Sequence, residues 1–200
     1  DRLRVMLDVG GMSEAAGEAL AAKLRAASEE SRAGPLTVLM TAERATRKLI
    51  AVGSGKGGVG KSTLSANLAV ALAAMGRGTG LIDADIYGPS QAMLLANDSK
   101  PTAHNNIMNP VMGVGGVPFL SMGQLIEPGQ PIAWRGPMVS GALGQLMEAH
   151  WGPAQEIVVD LPPGTGDIQL SMVQKHRPTG AVIVSTPQDL ALIDATRAIA

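Results

Sequence analysis

One segment of the chain has the residue types and spacing to hold a polyphosphate: Gly53-Ser54-Gly55-Lys56-Gly57-Gly58-Val59-Gly60-Lys61-Ser62-Thr63. An apolar run from Leu49 to Val52 leads into it, and a helical pattern from Ser62 to Met75 follows. Glycines let such a loop curl until consecutive backbone N–H groups face inward on a β-phosphate, and the helix N-terminus adds partial positive charge. Lys61 then neutralises the β and γ oxygens, and the Ser62 hydroxyl is placed to ligate Mg2+. The competing reading is a glycine-rich turn that happens to carry lysines. The complete G-x-x-x-x-G-K-S spacing, between a strand and a helix, outweighs it. The segment reads as a P-loop that binds a nucleoside triphosphate.

Lys56 is a second cation that such a loop does not need. From the outer edge of the loop it could reach a nucleotide held by a facing subunit and stabilise charge on the phosphate in transfer, by the logic of an arginine finger. A solvated loop lysine is the alternative. Two acidic segments complete the chemistry. Gly80 to Ile82 ends in Asp83-Ala84-Asp85, and Glu156 to Val159 ends in Asp160-Leu161-Pro162-Pro163-Gly164-Thr165-Gly166-Asp167. In an open parallel sheet the carboxyl ends of the strands form the ligand crevice, so both groups are expected beside the phosphate loop. Asp160 suits a Mg2+ contact made through water, and Asp83 suits the same shell. Asp85 is placed to orient or deprotonate an attacking water. Helix caps and turn formers are the plainer reading of aspartates after strands. Pro162-Pro163-Gly164 and Gly164-Thr165-Gly166 have the composition of a loop that shifts when a γ-phosphate leaves.

The elements that must position these groups follow from the apolar pattern. Leu49 to Val52, Gly80 to Ile82, Val117 to Leu120, Glu156 to Asp160 and Ala181 to Ser185 are near-continuous apolar runs separated by helical stretches, as a parallel sheet covered on both faces requires. The predicted architecture is α/β, doubly wound and mostly parallel. Residues 97–116 carry Asn105, Asn106, Asn109, Pro110 and three glycines with little periodicity, and read as a long mobile connection. Before the P-loop domain (49–200), Leu3 to Val9 alternates as a strand. A helix opened by Ser13 shows Ala16, Leu20, Leu24 and Ala27 on one face, and Leu36 to Met40 is a second strand. These residues, 1–43, form a small α+β lobe, and 44–48 a linker.

Composition removes several function classes. The net charge is −1 and the basic residues are scattered, so no stripe tracks a phosphodiester backbone and nucleic acid is not an implied partner. Cysteine is absent, which excludes a disulfide framework or a thiolate metal site within these residues and is compatible with a reducing cytoplasm. No apolar run approaches the roughly 20 residues needed to cross a bilayer. A soluble, cytoplasmic protein is expected, with no membrane partner. The chain begins on Asp1 and stops within a helix-patterned stretch from Asp189 to Ala200, so both ends are expected to continue in a longer polypeptide. His104, His150 and His176 show no ligand spacing and are expected on the surface or in packing. The eleven methionines read as core filler. Trp134 and Trp151 are expected to pack a helix from Pro137 to His150 against the sheet. Arg135, in a Gly/Pro-bounded loop, suits an interface contact or a structural ion pair equally.

Gly55-Lys56-Gly57-Gly58-Val59-Gly60-Lys61-Ser62-Thr63 resembles the deviant Walker A loop of the nitrogenase-iron-protein, MinD and ParA class. Within that class, Asp83-Ala84-Asp85-Ile86-Tyr87-Gly88-Pro89-Ser90, Trp134-Arg135-Gly136-Pro137-Met138-Val139 and the segment Asp160 to Asp167 resemble the Mrp/ApbC branch of iron-sulfur cluster carrier ATPases. The resemblance runs from about Lys48 to Ala200. It implies ATP with Mg2+, a homodimer with nucleotide near the interface, Lys56 acting across it, and slow hydrolysis linked to delivery of a cluster, expected to be 4Fe-4S, to apo-proteins. By position, Asp85 would be the water-positioning aspartate and Asp160 the magnesium aspartate. Thr186-Pro187-Gln188 resembles the family's loop near the nucleotide. The 1–43 lobe is weakly similar to the small MIP18-like domain found in many members. The family holds its cluster through a Cys-x-x-Cys pair, which is expected beyond Ala200, with a member that has lost the pair as the alternative; no cysteine ligand lies in these 200 residues. A MinD/ParA-like positioning ATPase is the alternative, although it needs a basic or amphipathic membrane- or DNA-binding element that is not visible. A nucleotide-dependent scaffold without a cluster is the third reading.

Overall fold

Alternate residues of the central strands are apolar on both sides, and that pattern sets the architecture. In the computed structural model, which describes residues 3–9, 12, 14–31, 34–41, 47–126 and 136–199, the chain divides into two units, 1–46 and 47–200. In the first, β1 (Leu3–Asp8) and β2 (Leu36–Thr41) pair in parallel, with α1 (Glu14–Glu30) as the crossover. Residues 42–46, which include most of the expected linker, lie outside the described residues.

The second unit is built on β3 (Lys48–Ser54), β4 (Thr79–Asp83), β7 (Val111–Met112), β8 (Pro118–Ser121), β9 (Glu156–Asp160) and β10 (Gly180–Val184). They form one sheet in the order β10-β3-β9-β4-β8-β7, parallel except for β7 at the edge. Side chains of successive strand residues point to opposite faces. Val52, Leu81, Phe119 and Val158 therefore meet α2 (Lys61–Ala74) through Ala66 and Ala69. Their neighbours Ala51, Ile82, Leu120, Ile157 and Val159 join a second core. There they meet Val139, Leu143 and Leu146 of α4 (Gly136–Met147), and Ile168 of α5 (Asp167–Ser171) with Met172 beyond it. The doubly wound α/β expectation holds.

Trp151 closes the second core: it is buried, its indole N–H donates to the Leu146 carbonyl at 2.9 Å, and its ring lies against Gly80. A Cβ on Gly80 would stand 2.6 Å from that ring and 2.9 Å from Ile157. Gly80→Ala is therefore expected to destabilise the domain by about 1–3 kcal/mol through overpacking, read as a lower urea midpoint at unchanged slope. Trp134 and Arg135 lie outside the described residues.

Two expectations fail. Most methionines are not core filler: Met122 and Met172 are buried, but Met6, Met75, Met93, Met112 and Met138 are among those exposed. Residues 97–116 are not a featureless connection: β5 (Thr102–His104) and β6 (Ile107–Asn109) form an antiparallel hairpin, β7 joins the sheet edge, and a 3-10 turn spans Val114–Gly116. The cause is Asn105-Asn106, both at positive φ (50° and 62°). Asparagine tolerates that region, and two such residues make the tight loop that suits a twisted hairpin. After β4, α3 (Gln91–Leu94) is a single turn, and α6 (Asp189–Ile199) follows β10.

Candidate functional site

At the carboxyl end of β3 the chain turns through residues 55–60 and enters α2 at Lys61. Gly58 and Gly60 adopt φ of 76° and 90°, a left-handed region that other residues enter at a cost. Gly55 is required for a different reason: α6 passes so close that a Cβ there would lie 2.4 Å from the Asp194 backbone. Val59 and Ser62 are half-buried, whereas Gly57, Gly60 and Thr63 are exposed.

Lys61 is buried, and its ammonium donates to Asp160 Oδ1 at 2.6 Å and to Ser62 Oγ at 3.1 Å. A cation thus lies between the hydroxyl and the carboxylate singled out for Mg2+. Asp160, fully buried at the end of β9, also accepts from Ser65 Oγ at 3.0 Å and, on Oδ2, from Gln91 Nε2 at 2.8 Å. Sequence reasoning missed Ser65 and Gln91. Ser65 had a signal, since it stands one turn beyond Lys61 on α2 and so shares its face. Gln91 had none.

Asp83 is the register partner of Asp160 on the adjacent strand. Its carboxylate is taken up by its own chain: Oδ1 accepts from the Asp85 N–H at 3.1 Å. Oδ2 accepts from the N–H groups of Ser90 and Gln91 at 3.0 and 3.1 Å and from Ser121 Oγ at 3.1 Å. These contacts fold the segment from 84 to 91 over the end of the sheet. Burial pushes the Asp83 pKa up to about 6, and the Asp160 charge adds to this, while the donated hydrogen bonds oppose it. A folded-state pKa above the unfolded 3.8 means that the group's stabilisation is complete below about pH 4 and is lost as pH rises through about 6, a change of about 3 kcal/mol. Asp83→Asn is expected to remove that decline, seen by comparing urea unfolding of mutant and parent at about pH 4 and about pH 7.

Asp85 is buried. Its Oδ1 accepts from the N–H groups of Tyr87 and Gly88 at 3.1 and 3.0 Å, while Oδ2 accepts no hydrogen bond among the described residues. It lines a cleft of about 490 Å3 together with Tyr87, Gly136, Pro162, Pro163, Asp167 and Gln169. The Pro162-Pro163-Gly164 loop is tied to β3, because the Gly164 N–H donates to the Ser54 carbonyl at 2.8 Å and the Leu161 N–H to Val52 at 2.9 Å. Gln169 holds the same loop through Pro162 O at 2.6 Å and the Gly166 N–H at 2.9 Å. A movement of this loop would therefore be felt at the base of the phosphate loop.

Lys56 is half-buried, and its ammonium makes no hydrogen bond or ion pair among the described residues. Pro187 is exposed, in the turn between β10 and α6, at the same end of the sheet as the phosphate loop. No group of three or more His, Asp or Glu suited to a metal occurs among the described residues, so a divalent ion here would have few protein ligands.

The family model described as NUBPL iron-transfer P-loop NTPase, of the ParA group, matches residues 45–200. This chain belongs to that family. Among curated relatives of the iron-transfer P-loop NTPases, the iron-sulfur cluster carrier protein of Deinococcus radiodurans is 51% identical over 155 residues, covering 76% of this chain and 44% of the relative. The Arabidopsis thaliana iron-sulfur protein required for NADH dehydrogenase, mitochondrial, is 51% identical over 156 residues, covering 76% and 50%. The chain spans about half the length of the curated relatives it matches. Among solved structures, the nucleotide-binding protein of Archaeoglobus fulgidus in complex with ADP aligns with TM-score 0.62 at 36% identity, over 76% of this chain and 60% of that one. The cell division ATPase MinD of Pyrococcus furiosus aligns at 0.56 with 24% identity, over 75% and 64%, a likeness of fold alone.

Proposed function

We propose that this chain is the nucleotide-hydrolysing part of an iron-sulfur cluster carrier: it binds ATP with Mg2+ on residues 55–63 and hydrolyses it slowly as a homodimer. The hydrolytic cycle is coupled to delivery of a cluster, of the 4Fe-4S type, to apo-proteins in the cytoplasm. The observation that carries the nucleotide reading is the buried Lys61 ammonium held between Ser62 Oγ and Asp160 Oδ1 at the start of α2. The names of relatives near 50% identity support the cargo. No helix among the described residues is long and apolar enough to cross a membrane.

The donor chemistry fits Mg2+, which takes hard oxygen ligands and keeps several waters when bound beside phosphates. Ser62 and Asp160 supply such oxygens, whereas Asp83 acts behind them by shaping the 84–91 segment. Bound there, Mg2+ would neutralise charge on the triphosphate. Lys61 exchanges Asp160 for the β and γ phosphate oxygens as the nucleotide seats, which frees the carboxylate. Asp85 presents Oδ2 to a water in line with the γ-phosphate, and the turn made by Tyr87 and Gly88 holds its other oxygen still. Pro187 borders the nucleotide from the β10 side. Exposed Tyr87, Met138 and Leu170, in or beside the elements that bound the Asp85 cleft, offer apolar surface to a second copy.

The cluster is cargo, and a thiolate-held cluster needs cysteines from outside these 200 residues, which contain none. Anaerobic reconstitution tests the carrier reading, with iron and acid-labile sulfide counted per dimer on the longer polypeptide and on this chain. A cluster retained by the longer protein alone supports it. Retention by neither refutes it and leaves a nucleotide switch without this cargo.

A further inference from the structure

Gln91 is fully buried, one residue after Ser90 at the entry of α3, on the segment that Asp83 folds over the sheet end. Its Nε2 donates to two acceptors, Ser62 O at 2.9 Å and Asp160 Oδ2 at 2.8 Å. Those acceptors fix which way the amide faces, because the flipped form would set its oxygen against a carboxylate and a carbonyl. The other end, Oε1, is buried and has no hydrogen-bond partner among the described residues. A buried acceptor left unpaired costs about 1–3 kcal/mol. The donor end nevertheless sits between the two chain positions, 62 and 160, that supply oxygens for Mg2+.

We propose that Gln91 is a positioning residue for the metal: Nε2 aims the Asp160 carboxylate, and Oε1 accepts a hydrogen bond from a water of the Mg2+ hydration shell. The inference rests on the Mg2+-nucleotide reading of the site. It explains why an amide is buried here. An apolar side chain would leave Asp160 Oδ2 short of a donor, and a carboxylate would set a second negative charge beside it. Partners of this kind orient a ligand's carboxylate, and their removal typically weakens metal affinity about 10- to 100-fold.

The test uses Mn2+ as the probe, with free ion counted by electron paramagnetic resonance in the presence of ADP, so that turnover is not the readout. Gln91→Met keeps the volume but has neither donor nor acceptor; Gln91→Glu keeps the acceptor. Gln91→Met is expected to weaken Mn2+ about tenfold while leaving the metal-free affinity for ADP unchanged, and Gln91→Glu, which keeps the acceptor but loses the donor to Asp160, to fall between the parent and Gln91→Met. Equal Mn2+ affinity in the parent and Gln91→Met overturns the inference. So does an equal loss of ADP affinity without metal, which marks a merely structural role, or a Gln91→Glu variant as weak as the methionine. A parent that binds ADP but no Mn2+ removes the metal reading with it. A parent that binds neither removes the nucleotide reading itself.

Discussion

Lys61→Ala is expected to abolish tight ATP binding, with a loss on the order of a hundredfold or more. The ammonium would make charge-assisted hydrogen bonds to two phosphate oxygens, each worth about 1.5–3 kcal/mol. A second effect follows without nucleotide. The lysine is the only cation on the buried Asp160 among the described residues. Removing one partner of a buried pair costs about 3–5 kcal/mol, so thermal stability should fall too. Lys61→Met, which keeps the stem in the core, separates packing from charge: it should lose nucleotide affinity equally. Fluorescence titration with a labelled ATP analogue checks the first effect and calorimetric unfolding the second. Unchanged nucleotide affinity would refute the phosphate assignment.

Lys56→Ala is expected to behave in the opposite way, with binding within about fivefold of the parent, because a half-buried charge with no ion pair among the described residues contributes little to its own site, and turnover lowered on the order of a thousandfold if the lysine serves as a finger. Its ammonium, which makes no hydrogen bond or ion pair among the described residues, is compatible with reaching a neighbouring nucleotide. Mixing the two mutants discriminates the geometry. A Lys56→Ala protomer still holds ATP, and a Lys61→Ala partner still carries Lys56, so the mixture should regain turnover that neither mutant shows alone. A mixture as inactive as its components would mean that Lys56 acts within its own subunit, and normal turnover by Lys56→Ala alone would mean that it does not act at all.

The parts of this site that were legible in the sequence are those in which one residue type serves one physical need. Glycines at 58 and 60 mark positive φ, the lysine after them marks the start of α2, and aspartates after apolar runs mark the ends of parallel strands. The sheet was legible because apolar residues on both faces of β3, β4, β8 and β9 leave no other arrangement. What was hidden depends on long-range geometry. Gly55 is required because α6 passes beside it, and Gln91 reaches Asp160 across 69 positions of chain, which no local spacing encodes. Asp83 illustrates a subtler limit. Its type and place match those of a metal ligand, yet three backbone N–H groups and a hydroxyl claim its oxygens first. The hairpin at Asn105-Asn106 was overlooked because strands of three residues are too short to show periodicity, so the turn chemistry was the only local signal.

The nucleotide site is the claim on which the rest depends, and titration calorimetry of ATP into this chain, with and without Mg2+, tests it most directly. The account predicts saturable binding of one ATP per chain that tightens when Mg2+ is added and disappears in Lys61→Ala. Absence of saturable binding, or binding indifferent to both Mg2+ and Lys61, would contradict it.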